Sequence, residues 1–372
     1  MKKVVIVGGG FAGLNCVHHL RRSKQPLDIT LVDCRADSQF LPLLPDIIAR
    51  NIDTNALSLP FEKLSRNDVS VVLKKVVEVK TTENKVICAD STVLAYDYLV
   101  LSAGAEPNFY NNEEISRSAQ KFYNIDDTLA VLNALHDSRC LNVVVVGGGY
   151  TGVELSCALK RYCDEHKLVK RIIIIERDKS VVSSLHPWMR DYVYENLKLM
   201  DIKLYTDCAI SMLVSDIVSL NNGVTFDRAY VVWVAGVKAV NINFDASIKY
   251  AAAKRIVVDE YLQILPGIFC AGDMAGVYHK GSLIRMGIQS ALTQGALCAD
   301  NIVALTQGSA LKKYKYFDPG FIVPMANDRA CGVVLGFNVR GALAQFLHYM
   351  MCIYRSWSPK GRLAIFKAIF KS

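Results

Sequence analysis

The chain has 372 residues, more than one hydrophobic core usually organises, and 52 % of them are apolar, which excludes a disordered protein and predicts two or three folded domains. Its formal charge of +8 is uneven: residues 312–372 hold ten Lys or Arg against two Asp, so the rest of the chain is neutral and only the tail is cationic. That pattern argues against nucleic acid and for an acidic surface met by one end, anionic lipid headgroups first.

Eleven Cys, an odd number with no CxxC pair, exclude a disulfide framework or a cysteine zinc site and predict reduced thiols and no metal. Met1-Lys2-Lys3 leads into an apolar run too short for a signal-peptide core. No uncharged apolar stretch reaches the ~18 residues a membrane helix needs.

Along the chain, residues 4–7 (VVIV) read as a strand buried on both faces, followed by the loop GGGFAG (8–13), a helix over 14–22, and a second strand over 29–32 closed by Asp33. The same order returns about 140 residues later, with VVVV at 143–146, GGGYTG at 147–152, a helix over 153–162, and a strand over 172–175 closed by Glu176. Each unit opens a doubly wound parallel sheet. Between them lie β-rich segments at 69–79 and 98–101, the latter ending in Ser102-Ala103-Gly104. After the second unit come YVVWVAG (230–236), GIFCAGD (267–273) and a helix over 289–305. The tail holds two apolar stretches, 341–354 and 363–370. On a helical wheel Phe366, Ile369 and Phe370 share a face opposite Lys360, Lys367 and Lys371, while Arg362 falls on the apolar side where its stem can snorkel.

The glycine loops carry dinucleotide chemistry. Gly8 permits the turn, Gly10 lets backbone approach a pyrophosphate, and Gly13 lets helix and strand pack closely, with Phe11 and Ala12 of the same loop counted among the cofactor-binding residues and the helix N-terminus facing the phosphates. Asp33 is placed for a ribose hydroxyl. Gly147, Gly149, Tyr150, Thr151, Gly152 and Glu176 repeat the set. An acid at 176 repels a 2′-phosphate and favours NADH over NADPH, a preference that the neighbouring Arg177 weakens.

GGGFAG with Asp33, GGGYTGVE with Glu176, the Ser102-Ala103-Gly104 strand end and IFCAGD resemble the pyridine-nucleotide-dependent flavoprotein reductases. FLPLL (40–44), WVAGV (233–237), QSALTQG (289–295), Asp318-Pro319-Gly320 and the apolar, basic tail with His348 narrow the resemblance to the type II NADH:quinone oxidoreductases. The resemblance implies an α/β fold with two Rossmann-like dinucleotide-binding domains, the NAD domain inserted in the FAD domain, and a C-terminal amphipathic helical membrane-contact segment. The expected boundaries are 1–110 and 245–325 for the FAD domain, 111–244 for the NAD(H) domain and 326–372 for the C-terminal segment. FAD is then the cofactor, NADH the donor and a quinone the acceptor, on the cytoplasmic face of the cell membrane and without proton pumping.

The resemblance implies that FAD is held by the first glycine set with Asp33, Pro42, Val76, Ala103, Gly104, Gly272 and Asp273, and NADH by the second with Ala235 and Gly236. It places Glu154 near nicotinamide and flavin, and Gln289 and Gln294 at the quinone. By bare spacing Glu154 reads as a helix-surface acid, both Gln as solvated helix residues, His348 as a buried histidine, and Trp233 as either core or channel lining. Ile288, Thr293 and Ala158 depart from the family's pattern, which carries Ala, Gln and often a second Glu there. A disulfide reductase is disfavoured because Cys16 has no partner five residues on. A sulfide:quinone reductase would enlist Cys157 or Cys331 but has no use for a second dinucleotide loop. Three alternatives stay open: an NADH reductase of a ferredoxin-like protein, an NADH-sensing flavoprotein, and a tail that serves a homodimer.

Overall fold

The computed structural model describes residues 1–65 and 69–369. In chain order its helices are α1 (Phe11–Ser23), α2 (Leu44–Arg50), α3 (Glu113–Ser118), α4 (Ile125–Leu135), α5 (Tyr150–Glu165), α6 (Pro187–Leu199), α7 (Ile288–Thr306), α8 (Ala342–Arg355) and α9 (Pro359–Ile369). The chain forms two compact units, one made of residues 1–38, 59–106 and 238–318 and the other of 39–58, 107–237 and 319–372. The second unit thus includes the 39–58 excursion and the C-terminal segment.

The first unit holds a six-stranded sheet in the order Gln263–Leu265, Ile268–Cys270, Tyr98–Leu101, Lys2–Val7, Leu27–Asp33, Val69–Leu73. Every pairing is parallel except that of the Gln263–Leu265 edge. Ile6 pairs with Leu31 on one side and Val100 on the other, and all three are fully buried. This burial explains why these strands read as continuous apolar runs rather than alternating ones. A smaller sheet joins Asn243–Phe244, Val76–Lys80, Lys85–Cys88 and Val93–Ala95.

The second unit repeats the design with five parallel strands, Gln120–Lys121, Ala229–Trp233, Asn142–Val146, Arg171–Ile175 and Lys203–Tyr205. Val144 sits between Ile173 and Val231 in the buried centre. Residues 320–340 add a three-stranded antiparallel sheet, against which α8 packs. No helix among the described residues is long and apolar enough to cross a membrane.

The tail corrects one expectation. On α9 the buried residues are Gly361, Ile365 and Ala368, whereas Phe366 is half exposed and Ile369 intermediate. The inward face is set by close backbone approach: a Cβ at Gly361 would lie 2.7 Å from the carbonyl oxygen of Ala56. Phe370 and Lys371 lie outside the described residues. Outward, α8 presents Leu343, Phe346, Met350 and Tyr354, and α9 presents Leu363 and Phe366 beside Arg362 and Lys367.

Candidate functional site

In the first unit the chain turns from its central strand into α1 through Gly8, whose φ of +100° is a conformation L side chains rarely adopt. A Cβ at Gly8 would lie 2.3 Å from the Ser102 carbonyl oxygen and 2.5 Å from the Ala103 Cα, and one at Gly13 would lie 1.9 Å from the Gly8 carbonyl oxygen. Ser102 Oγ donates to the carbonyls of Val7 and Gly8, both at 3.0 Å, which locks the two strand ends together. At Gly10, by contrast, a Cβ would meet nothing within 4 Å, so this is the open side of the turn.

α1 starts there with no side-chain cap and no acid in its first turn, the polarity an anion favours. The Gly9 amide donates to Asp33 Oδ2 at 2.7 Å and the Arg35 amide to Oδ1 at 2.9 Å, so the expected ribose acid is fixed beside the loop.

The 272–273 turn joins the same gathering, since a Cβ at Gly272 would lie 3.2 Å from Ala12 Cβ. Gly272 donates its amide to Gln294 Oε1 at 2.7 Å, and Gln294 is fully buried with its Nε2 left without a partner among the described residues. Burial raises the Asp273 carboxyl above its ordinary value, countered by the buried Arg255, whose guanidinium donates to the carbonyls of Ala275 and Ile284. Gly104, with φ +75°, follows Ala103. A turn that a Cβ at Gly8 or Gly13 would block, an uncapped helix N-terminus and the buried Gln294 amide, whose Nε2 has no partner among the described residues, fit a bound dinucleotide.

Not every expected residue falls in this gathering. Val76 is a core position in the smaller sheet, paired with Cys88. Pro42 belongs to the second unit, in the turn Leu41–Leu43. Gln289 stands in the first turn of α7, where its carbonyl accepts from Thr293 Oγ1 at 3.0 Å.

The second unit repeats the cradle. Gly147 has φ +109° and a Cβ there would lie 2.7 Å from the Ala235 Cα, while one at Gly152 would lie 1.8 Å from the Gly147 carbonyl oxygen. Glu176 accepts from the Gly148 amide at 2.6 Å and the Asp178 amide at 2.8 Å. α5 begins at Gly149 without cap or acid. Here the loop opens into a cleft of about 520 Å³ lined by Gly147, Gly149, Tyr150, Thr151, Glu176, Arg177, Trp233, Ala235 and Gly236, a volume ordinary for a small-molecule site.

Trp233 does both things its sequence allowed. It is buried, stacks on Phe109 at 5.5 Å, donates Nε1–H to the Asn108 carbonyl at 2.9 Å, and still lines the cleft. Tyr110, also on the cleft wall, had no signal in the sequence.

Glu154, one turn into α5, does not line this cleft. It faces a separate small pocket with Asp46, Ala158 and Gln345. Burial, then the charge of Asp46, raises its carboxyl well above the usual range. Asp46 accepts a hydrogen bond from Tyr349 Oη and lies 3.6 Å from Arg50 Nε; burial pushes it up to about 6 against those two partners. Sequence reasoning missed Asp46, Gln345 and Tyr349. Cys157 and Cys331 are buried thiols pushed up by burial, the latter to about 12, which suits neither to nucleophilic sulfur chemistry.

The chain matches the pyridine nucleotide-disulphide oxidoreductase family over residues 2–295. It is 27 % identical to the type II NADH:quinone oxidoreductase of Haemophilus influenzae across 95 % of this chain and 93 % of that protein. It is 26 % identical to the demethylphylloquinone reductase NdbB of Synechocystis across 95 % and 92 %. Its fold superposes on the NDH2 of Plasmodium falciparum in complex with NADH with a TM-score of 0.89, over 100 % of this chain and 98 % of that one at 17 % identity. The sulfide:quinone oxidoreductase of Aquifex aeolicus shares the fold too, at a TM-score of 0.79 and 16 % identity, so fold alone does not name the acceptor. Its match over residues 2–295 makes this chain a member of the pyridine nucleotide-disulphide oxidoreductase family, and within it the chain resembles the type II NADH:quinone oxidoreductases over most of its length.

Proposed function

We propose that this protein oxidises NADH and passes the two electrons through FAD to a membrane quinone, without pumping protons. The observation that carries the proposal is the duplicated cradle: two strand–glycine–helix turns, one per unit, each with its acid fixed on the loop amide, at Gly9 by Asp33 and at Gly148 by Glu176. A tightly held dinucleotide and an exchanging one each need such a turn, and the sequence likeness to quinone reductases supplies the acceptor class.

FAD, when bound, supplies a two-electron relay between a hydride donor and a quinone. Gly8, Gly10, Phe11, Ala12 and Gly13 would hold its pyrophosphate, Asp33 its ribose, and Ala103, Gly104, Gly272 and Asp273 the rest of it, with Gln294 fixing the Gly272 turn; Pro42 and Val76, which lie outside this gathering, carry no contact in this assignment. Gly147, Gly149, Tyr150, Thr151 and Gly152 would take the phosphates of NADH, Glu176 its ribose, and Ala235 and Gly236 its nicotinamide half. Gln289 serves the quinone and Glu154 works as a site acid. Residues 1–110 and 245–325 form the FAD domain, 111–244 the NADH domain and 326–372 the membrane contact in this assignment.

The outward residues of α8 and α9 support a peripheral seat on the cytoplasmic face of an anionic membrane. Each methylene they bury there gains about 0.8 kcal/mol, and each nearby basic residue about 1 kcal/mol.

The test is anaerobic mixing of the purified protein with NADH while the flavin absorption is followed, then addition of a short-chain quinone. Bleaching followed by recovery is expected. Bleaching without recovery would direct the electrons to a protein acceptor or a signalling role, and absence of bleaching would remove NADH as the donor.

A further inference from the structure

Within the second unit, three helices place two carboxyls around one small pocket. Its volume is about 10 Å³, room for roughly one water. Asp46 of α2, Glu154 and Ala158 of α5, and Gln345 of α8 line it. Gln345 is buried, and its Oε1 has no hydrogen-bond partner among the described residues, while its Nε2 donates to Tyr349 Oη at 3.3 Å. Tyr349, 1 % exposed, donates its hydroxyl hydrogen bond to Asp46 Oδ1. Glu154 has no hydrogen bond or ion pair among the described residues.

An unpaired buried acceptor beside an unpaired carboxyl is costly unless a proton or a water lies between them. The neighbours decide which carboxyl keeps the proton. Arg50, at 3.6 Å from Asp46 and hydrogen-bonded at 2.7 Å to Asp328, and Tyr349 both favour ionised Asp46. Arg161 adds a more distant positive charge on the same side. Burial acts most on Glu154, then the charge of Asp46, and both raise its carboxyl; the thiols Cys157 and Cys352 lie close enough to feel its charge.

We propose that Asp46, held ionised by Tyr349 and Arg50, is a positioning residue that keeps the single proton of the carboxyl pair on Glu154, which shares it with Gln345 Oε1 directly or through one water. Helix α8 thereby sets the protonation state of an acid on the dinucleotide-binding helix α5. The inference rests on the assignment of Glu154 as a site acid. Its consequence for the reaction is a balance of protons: NADH delivers two electrons and one proton as hydride, quinol formation consumes two electrons and two protons, and a neutral Glu154 stores the kind of proton that is still missing.

The test reads Glu154 itself in the flavin-loaded protein without turnover, by the infrared C=O stretch of its protonated carboxyl as a function of pH, assigned through its loss in Glu154→Gln. The native band should persist through neutral pH. In Asp46→Asn, and in Tyr349→Phe, which keeps the packing and returns the shared proton to Asp46, the Glu154 band should vanish about one to two pH units lower. A Glu154 titration unmoved in either folded variant, or a native Glu154 already ionised at neutral pH, overturns the proposal. Because no donor or acceptor is present, a failure of NADH:quinone turnover leaves this result untouched.

Discussion

Gly295 on α7 sits directly against Ala12 on α1, so close that a Cβ at residue 295 would lie 2.1 Å from the Ala12 carbonyl oxygen. The helix carrying Gln294 and the helix opening the first cradle are therefore set by one backbone contact. Gly295→Ala should push them apart, cost about 1–3 kcal/mol of stability and lower flavin retention. Thermal unfolding and the ratio of flavin to protein absorbance read both effects.

The two cradles predict separable losses. Gly13→Ala meets the Gly8 carbonyl and should yield protein without flavin; Gly152→Ala meets the Gly147 carbonyl and should keep flavin but lose its reduction by NADH. Absorption spectra before and after NADH distinguish the two. Loss of flavin in Gly152→Ala with retention in Gly13→Ala would reverse the assignment of the units.

Glu176 accepts two loop amides and, with Arg177, faces the cleft. Glu176→Ala removes charge-assisted bonds worth roughly 1.5–3 kcal/mol each. It should lower kcat/KM for NADH at least about tenfold while raising it for NADPH, whose 2′-phosphate Arg177 can then meet. Steady-state rates with both nucleotides check this.

Leu343 and Phe346 point outward on the same turn of α8. Replacing both by Glu, which removes the apolar contact and repels the headgroups, should abolish flotation with anionic liposomes and leave turnover with a water-soluble quinone intact. Should liposome binding persist while a dimer dissociates in sizing measurements, the tail serves a second copy instead.

His348 supplies a pH dependence. Burial, then Arg355 and Arg50, lowers its imidazole to about 4. A base held below its unfolded value of about 6.5 contributes stability fully above that pH, and loses it as pH falls toward 4, by up to roughly 3 kcal/mol. Asp46, raised to about 6, acts with the opposite sign, so the comparison must be between proteins at each pH. Melting temperatures of His348→Gln should fall less steeply between pH 6.5 and 4 than those of the native chain.

Both cradles were legible in the sequence because local physics writes them: β-branched runs, glycines at fixed offsets and an acid at the next strand end. The helices open at Phe11 and Tyr150, a turn before residues 14 and 153 where apolar periodicity first shows, because the loop amides themselves begin the helix. The Asp46–Tyr349 bond was illegible. It joins residues 303 apart, and nothing in either segment marks the other. Gln294 carries the pattern of a solvated helix residue, and only the packing of α7 on α1 buries it. On α9 the wheel selected the bulky residues, whereas close approach at Gly361 turned Ile365 and Ala368 inward and left Leu363 and Phe366 for the surface.

The most direct test of the central claim is the anaerobic stoichiometry of NADH consumed to quinol formed, in liposomes that carry the quinone in their bilayer. One quinol per NADH is the predicted result. NADH consumed without quinol, or flavin reduced once and never reoxidised by the bilayer, would contradict the account.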